Sequence, residues 1–259
     1  LFHKPWLMKT AAKPTRVRAQ PLPAAARPTI ARDVPSVLAW LAAHSSPQIL
    51  AGMARYGMPA ENALGVAVGD IQLAGKLLGR DHALAAALWK TGGYEARMVA
   101  AYVDEPGRVT AAQMDRWVRD FDSWGICDTV CFVLFDRTPH AWAKVEAWSD
   151  RPEEFVKRAA FAPLWGLTRH DKAAPDARFL HGLKLIEQAA RDERHFVKKA
   201  VNMALRATGK RNAALRTAAA AVARRLAASP AAAPRWVGKD ALRELQPTAR
   251  KATGKGTAK

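Results

Sequence analysis

Apolar residues recur at the three- and four-residue spacing of a helix face from Asp33 onwards, and Gly, Pro and Ser interrupt the pattern repeatedly. Runs in which Val, Ile and Thr alternate with polar residues are hard to find. The pattern therefore predicts an all-α protein. The predicted helices cover residues 34–55 with a break near 46, 70–78, 81–91, 94–103, 110–122, 124–135, 138–148, 152–170, 176–191, 193–208, 211–227 and 234–245.

Short segments of this pattern repeat along the chain. Phe155 and Phe196 lie in two similar segments and are 41 residues apart. Residues 235–241 echo the same pattern, and residues 95–100 form a weaker copy. Helical repeats of the HEAT and armadillo type recur at about 40–47 residues. We therefore predict a right-handed α-solenoid of HEAT-like repeats in preference to a compact bundle.

The net charge of the chain is strongly positive. Lys and Arg number 41 against 23 Asp and Glu, which gives +18. Residues 1–32 carry seven basic residues and no acid, residues 247–259 carry four and no acid, and +7 remains on the rest. A basic body suits a polyanion such as nucleic acid. The alternative is a compositional bias that raises Arg and Ala together, without any such partner.

Composition also predicts the domain boundaries. Residues 1–32 are basic and rich in Pro and Ala, so we expect a disordered tail, either inert or a DNA-tethering arm. Residues 33–246 form the predicted repeat domain, and residues 247–259 a second basic, disordered tail. No apolar run reaches membrane-spanning length, and no signal-peptide pattern is present. We therefore expect a cytoplasmic protein with no membrane partner, associated with a bacterial nucleoid while it is bound to DNA. We also expect a monomer.

Cysteine and histidine give no pattern typical of a metal site. Cys127 and Cys131 have helical spacing, and we predict two small buried thiols in a reducing compartment. A redox role is the weaker alternative. The histidines lack metal-ligand spacing, so no metal or organic cofactor is predicted. Those considered are His140, His170, His181 and His195.

The repeats also place basic residues at comparable positions in successive helices. In a superhelix such positions would form a concave basic strip, a surface that suits a DNA backbone. The alternative is that these side chains only solvate outer faces. The comparable positions are Arg97, Arg158, Lys199 and Lys239. The predicted DNA-binding residues are Arg97, Lys157, Lys198, Lys199, Arg206 and Lys239.

One acidic residue interrupts the strip. Asp128 lies four residues after Trp124, so a helix would project both from one face. A carboxylate beside an indole suits a cation such as an N-alkylated purine, because it can stabilise the oxocarbenium-like sugar and orient water. Arg158 could hold a phosphate and steady the carboxylate. The alternative is a buried Trp124 with Asp128 as a cap or as a salt-bridge partner of Arg158.

Several segments resemble the DNA alkylation repair family, the HEAT-like-repeat DNA glycosylases that excise N3- and N7-alkylated purines. The resemblance spans roughly residues 45–245, and the order and spacing of the segments carry it. The matching segments are Arg55-Tyr56-Gly57-Met58, Trp89 through Arg97, Phe121 through Asp128, Glu154 through Ala159, Glu193 through Asn202, and Ala204-Leu205-Arg206.

This resemblance implies roles for four positions. Asp128 matches the catalytic carboxylate, Trp124 the aromatic residue before it, and Arg158 the basic residue beside the backbone of the lesion. In the best-studied branch, the lesion stays stacked in the duplex. That branch has a second tryptophan where this chain has Met203, which has no π face. The resemblance therefore implies a lesion-pocket wall at Met203 with less cation–π stabilisation.

Gly125 and the remaining tryptophans are not assigned to the catalytic machinery. Gly125 is a helix-weakening residue beside Trp124, so it counts against full catalytic power. The remaining tryptophans of the apolar stripes are predicted to be core residues. They are Trp89, Trp117, Trp142, Trp148 and Trp165.

Three functions follow, in order of preference. The first is a DNA repair glycosylase that hydrolyses the N-glycosidic bond of cationic N3- or N7-alkylated purines in double-stranded DNA. The second is a non-catalytic DNA-binding or scaffold protein on the same repeats. The third is a protein–protein adaptor.

Overall fold

The computed structural model describes residues 29–245, which contain thirteen α-helices and no strand. The predicted tails lie outside this range, apart from residues 29–32. The helices are α1 Val34–Ala43, α2 Pro47–Met53, α3 Val68–Leu78, α4 His82–Lys90, α5 Tyr94–Val103, α6 Ala111–Arg119, α7 Trp124–Val133, α8 Ala141–Trp148, α9 Glu154–His170, α10 Asp176–Ala189, α11 His195–Arg211, α12 Ala213–Ala227 and α13 Ala232–Leu245.

Polar residues fix the starts of many of these helices. An N-cap side chain accepts a hydrogen bond from a backbone N–H in the first turn of α1, α2, α4, α6, α7 and α12. One predicted start is wrong, because α8 begins at Ala141 and not at residue 138. Thr138 instead donates a hydrogen bond of 2.9 Å to the carbonyl of Phe135 and ends the 3₁₀ turn Phe135–Arg137.

The helices form two layers, as expected of a solenoid. In the inner layer, α5, α7, α9, α11 and α13 pack side by side, each against the next. In the outer layer, α4 packs on α5, α8 on α9, α10 on α11, and α12 on α13. Each outer helix and the following inner helix therefore make one repeat. The predicted all-α fold of HEAT-like helical repeats is confirmed.

The repeated segments occupy equivalent places in the inner layer. Val156, Val197 and Val237 each point into the core and are almost completely buried. The rings of Phe155 and Phe196 lie 5.5 Å apart, centroid to centroid, across the α9–α11 contact. The same register therefore recurs from one repeat to the next.

The core runs the length of the two layers. Trp89 and Trp117 stack with their ring centroids 3.9 Å apart, which joins α4 to α6. Cys127 and Cys131 are free thiols and are buried, as predicted. Within residues 29–245, no helix is long and apolar enough to cross a bilayer.

Candidate active site

The first turn of α7 carries the residues around which the site forms. Ser123 caps the helix, and its hydroxyl accepts a hydrogen bond from the backbone N–H of Ile126. Trp124 and Asp128 follow one turn apart, and both remain partly accessible. Ile126 and Cys127 lie on the other side of the helix and are buried. The apolar side of α7 thus fixes the direction in which Trp124 and Asp128 point.

Gly125 has a packing role that the sequence interpretation missed. A Cβ at this position would overlap the hydroxyl group of Tyr94 and lie 3.1 Å from the sulfur of Met58. The glycine therefore allows α5 to approach α7 closely. Its presence is a requirement of this packing, and we no longer interpret it as a sign of lost catalysis.

Asp128 and Arg158 form a two-pronged ion pair between α7 and α9. Arg158 Nε donates to Asp128 Oδ1 at 2.9 Å, and Nη2 donates to Oδ2 at 2.7 Å. The third nitrogen, Nη1, donates to the carbonyl of Phe196 at 2.6 Å. The side chains are 14% and 4% exposed for Asp128 and Arg158. Arg158 is therefore held by α7 and α11 together, and the carboxylate has a fixed orientation.

The two charges of this pair act against the cost of burial. Removal from water raises the pKa of Asp128 above the ordinary value for an aspartate, and the charge and hydrogen bonds of Arg158 oppose that shift. Burial alone would lower the pKa of Arg158, but the charge of Asp128 raises it above the usual value. The guanidinium stays protonated, and its two hydrogen bonds favour the ionised form of the carboxyl.

The ion pair lies in the wall of a cavity of about 760 Å³. Asp128 is the only acidic residue in the described lining, and most of the other lining residues are apolar or aromatic. The volume is in the range of small-molecule sites, about 300–1,000 Å³. The lining consists of Arg55, Tyr56, Gly57, Trp124, Asp128, Phe132, Arg158, Trp165, His195, Phe196, Lys199 and Met203.

One rim of the cavity comes from the segment after α2. Trp124 Nε1 donates a hydrogen bond of 2.7 Å to the carbonyl of Tyr56, which orients the indole. Gly57 follows with a φ of 66°, a left-handed conformation that favours glycine. A Cβ there would lie 2.8 Å from Cζ of Phe196. This segment therefore touches both α7 and α11 across the opening, while the Tyr56 side chain is 66% exposed.

The structure brings five of the predicted site residues together and places the others elsewhere. Trp124, Asp128, Arg158, Lys199 and Met203 line the cavity. The remaining predicted DNA-binding residues do not line it, and they lie on other parts of the helices. These are Arg97, Lys157, Lys198, Arg206 and Lys239.

Acidic or aromatic partners engage four of those five residues. Lys157 pairs with Asp192 at 3.3 Å, and Arg206 pairs with Glu244. The ammonium group of Lys198 lies 5.3 Å from the ring centroid of Trp236.

The fourth is Arg97, which lies over Trp89 and donates to the carbonyl of Asp120. Lys239 is exposed. DNA contacts of all five residues outside the cavity stay predictions.

Sequence reasoning missed part of the wall. Trp165 was predicted to be core, but it is half-buried and lines the cavity, as does Phe132. Sequence spacing could have identified both residues, because positions one or two helical turns apart share a face. Phe132 lies four residues after Asp128, and Trp165 lies seven residues after Arg158. Trp142 is likewise only half-buried, whereas the other predicted core tryptophans are buried.

The cavity does not offer a metal site in the part of the chain that the structure describes. Residues 29–245 contain no group of three His, Cys, Asp or Glu side chains that could hold a metal ion. His195 and Asp128 are the lining residues of those types, and Arg158 occupies one side of the Asp128 carboxylate. The chemistry available here is that of a carboxylate, a guanidinium and aromatic rings.

Comparisons with known proteins agree with this architecture. The family described as "DNA alkylation repair enzyme" matches residues 37–245. No curated protein matches the chain. A solved structure described as "a new family of proteins related to the HEAT-like repeat DNA glycosylases with affinity for branched DNA structures" is similar, with a TM-score of 0.70 and 20% identity over 82% of this chain and 96% of that one. A designed armadillo repeat protein aligns at a TM-score of only 0.30, with 12% identity over 76% and 99%.

Proposed function

The chain belongs to the DNA alkylation repair enzyme family, and we propose that it is a DNA glycosylase that hydrolyses the N-glycosidic bond of cationic N3- or N7-alkylated purines in duplex DNA. One observation carries the proposal. Among the described residues, the lining of the cavity presents one carboxylate, Asp128, which Arg158 orients and Trp124 accompanies on the same helix. The carboxylate and the indole face are groups that can stabilise a cation.

The Asp128 carboxylate retains free hydrogen-bond acceptor positions while it is paired with Arg158. An ionised carboxyl offers about four acceptor positions, and Arg158 uses one on each oxygen. The others are left for a water molecule or for electrostatic contact with the sugar. Because the pair is rigid and mostly dehydrated, its field needs little reorganisation when charge develops on the sugar. We assign Asp128 as the electrostatic and water-orienting group.

The bond changes balance with water as the only co-reactant. Alkylation leaves the purine cationic, so the electron pair of the breaking C1′–N bond neutralises the base as it departs. The sugar then carries oxocarbenium character, which the negative charge of Asp128 stabilises. Water adds to C1′ and loses a proton, for which Asp128 is the acceptor within reach. The products are a neutral alkylpurine and an abasic site.

Trp124 and two basic residues of the cavity lining bind the substrate. The indole of Trp124 is fixed by its hydrogen bond to Tyr56, and its π face can contact a cationic base. Lys199 and Arg55 lie in the same lining and supply positive charge for the flanking phosphates.

The test compares the wild type with Asp128→Asn on methylated duplex DNA. Wild type should release 7-methylguanine and 3-methyladenine, detected by chromatography of the free bases. Asp128→Asn should bind the same DNA and release neither above the spontaneous rate, because the amide has no charge for the oxocarbenium ion. A variant that releases both bases at the wild-type rate would remove Asp128 from the mechanism.

A non-catalytic DNA-binding protein is the alternative, and Met203 favours it. The resemblance placed a second π face at this position of the wall, and the thioether has none. A structurally similar family is described by its affinity for branched DNA. This alternative requires that the wild type releases no base while it binds duplex or branched DNA. Salt titration separates both readings from a protein adaptor, because DNA affinity should fall steeply with salt.

A further inference from the structure

The end of the cavity beyond the ion pair has an apolar wall built from three consecutive inner helices. Phe132 comes from α7, Trp165 from α9 and Met203 from α11. All three side chains are only half-buried, although each is apolar. A large apolar side chain that faces a cavity in each of three neighbouring helices is a surface available to a ligand.

The register of α7 and α9 places this wall on the far side of the ion pair from Trp124. The two helices run in the same direction, since Cys127, Asp128 and Phe132 contact Phe155, Arg158 and Trp165 in that order. Trp124 lies one turn before the pair on α7, whereas Trp165 follows it by two turns on α9. The carboxylate is thus flanked by indoles in both directions.

Trp165 differs in its polar contacts from three of the tryptophans that stabilise the fold, although among the described residues the buried Trp117 also lacks an indole hydrogen bond. The indole N–H groups of Trp89, Trp142 and Trp148 each donate to an aspartate of a neighbouring helix or loop. Within residues 29–245, the N–H of Trp165 has no hydrogen-bond partner. Its ring is instead held by Phe132, with the centroids 4.3 Å apart and an interplanar angle of 81°. Packing fixes this ring without a polar tether.

The direction in which helical side chains lean brings the Trp165 ring toward the Asp128–Arg158 pair. Long side chains on an α-helix lean toward its N-terminus and cover the preceding turn. Trp165 therefore leans back toward Arg158. Met203, on α11, offers a polarisable surface with no π face, so Trp165 is the aromatic residue of this wall with the largest ring.

We propose that Trp165 is a lesion-binding residue, whose π face contacts the cationic alkylpurine on the side of the ion pair opposite Trp124. This inference rests on the proposed function and names a residue that the resemblance does not assign. The ring attracts the positive base and not the neutral product. It therefore favours the lesion over normal purines, which are neutral and gain no cation–π energy.

The experiment measures single-turnover release of 7-methylguanine by wild type, Trp165→Phe and Trp165→Leu. Trp165→Leu should slow release by about 5- to 30-fold, the factor that corresponds to about 1–2 kcal/mol of cation–π attraction. Trp165→Phe keeps a π face and should lie between the other two. Adding Met203→Trp to Trp165→Leu should restore part of the rate, because it offers a π face from α11.

Trp40→Leu is the matched control. Trp40 is a half-buried tryptophan of α1 that stacks on His44 and does not line the cavity. It should leave the rate unchanged. Thermal unfolding of every variant identifies any change that comes from stability, and the Phe variant keeps the test usable if the Leu variant does not fold.

A binding measurement covers the case in which no base is released. The probes are duplexes with one 2′-fluoro-7-methylguanosine, which is cationic and resists hydrolysis, or with 2′-fluoroguanosine. Wild type should prefer the cationic probe, and Trp165→Leu should lose about 5- to 30-fold of that preference. A purely structural role would weaken binding of both probes equally and would overturn the inference.

The outcomes separate the inference from the proposed function. Loss of release in Asp128→Asn with wild-type release and preference in Trp165→Leu would overturn the role of Trp165 alone. No release by wild type, with a preference that depends on Trp165, would support the subsite and remove the glycosylase. No release and no preference would overturn both.

Discussion

Two carboxylate–arginine pairs in this protein have the same geometry in different surroundings. Asp128 and Arg158 pair at 2.9 and 2.7 Å in the cavity, and Glu187 and Arg225 pair at 2.7 and 2.7 Å between α10 and α12 of the outer layer. The first pair is 14% and 4% exposed, the second 34% and 58%. Both use the same two-pronged contact from Nε and Nη2.

The different surroundings shift the pKa values of the two carboxylic acids in opposite directions. Arg225 lowers the pKa of Glu187 below its usual range through a hydrogen bond, whereas desolvation raises the pKa of Asp128 despite Arg158. A carboxylate held charged in a dehydrated, aromatic cavity interacts strongly with a cation, and one in water does not. The site is therefore distinguished by burial and by its lining, since the ion-pair geometry is shared.

The largest expected contrast is in catalysis. Asp128→Asn should reduce single-turnover release of 7-methylguanine by about 100-fold or more, in line with the loss of one preorganised electrostatic group. Glu187→Gln removes the same charge from the outer pair and should leave the rate unchanged. Equal losses in the two variants would mean that the cavity pair has no special role.

Stability should show the next largest contrast. Arg158→Met leaves a desolvated carboxylate without its partner and should cost about 3–5 kcal/mol in the free energy of unfolding. Arg225→Met breaks an exposed pair and should cost about 0–1 kcal/mol. Urea unfolding at neutral pH measures both. Adding Asp128→Asn to Arg158→Met should recover part of the loss, and no recovery would argue against the buried charge as its cause.

The pH dependence of the rate should follow the cavity acid. Because the neutral acid cannot stabilise the oxocarbenium ion, kcat/KM should fall as pH decreases through the pKa of Asp128. Desolvation raises this pKa, so the midpoint should lie above the ordinary value for an aspartate. A rate corrected for spontaneous depurination gives the profile. A midpoint below the ordinary value would show that Arg158 outweighs desolvation.

The smallest expected effect is the pH dependence of the stability that the outer pair, Glu187 and Arg225, contributes. Glu187 has a lowered pKa in the folded protein, so its contribution is present above the unfolded value of about 4.3 and is lost as pH falls through the folded value. Glu187→Gln should cost less than about 1 kcal/mol at neutral pH. The difference from wild type should shrink on acid titration. A difference that grows at low pH would contradict the sign of this shift.

Most of the fold follows from local signals in the sequence. Helical periodicity and breaks at glycine and proline placed nearly every helix within a few residues. In the structure, side chains such as Thr110 and Ser123 cap the helix starts. The 41-residue offset of Phe155 and Phe196 identified the repeat, because equivalent residues of a solenoid meet across neighbouring helices. The start of α8 was misplaced because Thr138 ends the preceding 3₁₀ turn, and the helix begins only at Ala141.

The site was harder to predict, for reasons of tertiary contact. Spacing put Trp124 and Asp128 on one face, but burial decides whether a tryptophan is core or wall, and Trp165 was misassigned for that reason. Gly125 looked like a weak helix residue until α5 was seen against it. The rim at Tyr56 is 68 residues from Trp124, and no local pattern signals that contact.

The most direct measurement is product analysis on a duplex with a single 7-methylguanine, incubated with an excess of the purified protein. Free base and abasic sites are quantified in the same samples, and Glu187→Gln serves as the paired control for Asp128→Asn. We expect equal amounts of free 7-methylguanine and abasic site for wild type and for Glu187→Gln, and neither above the spontaneous level for Asp128→Asn. Intact lesion after prolonged incubation with wild type, with DNA binding retained, would contradict the account.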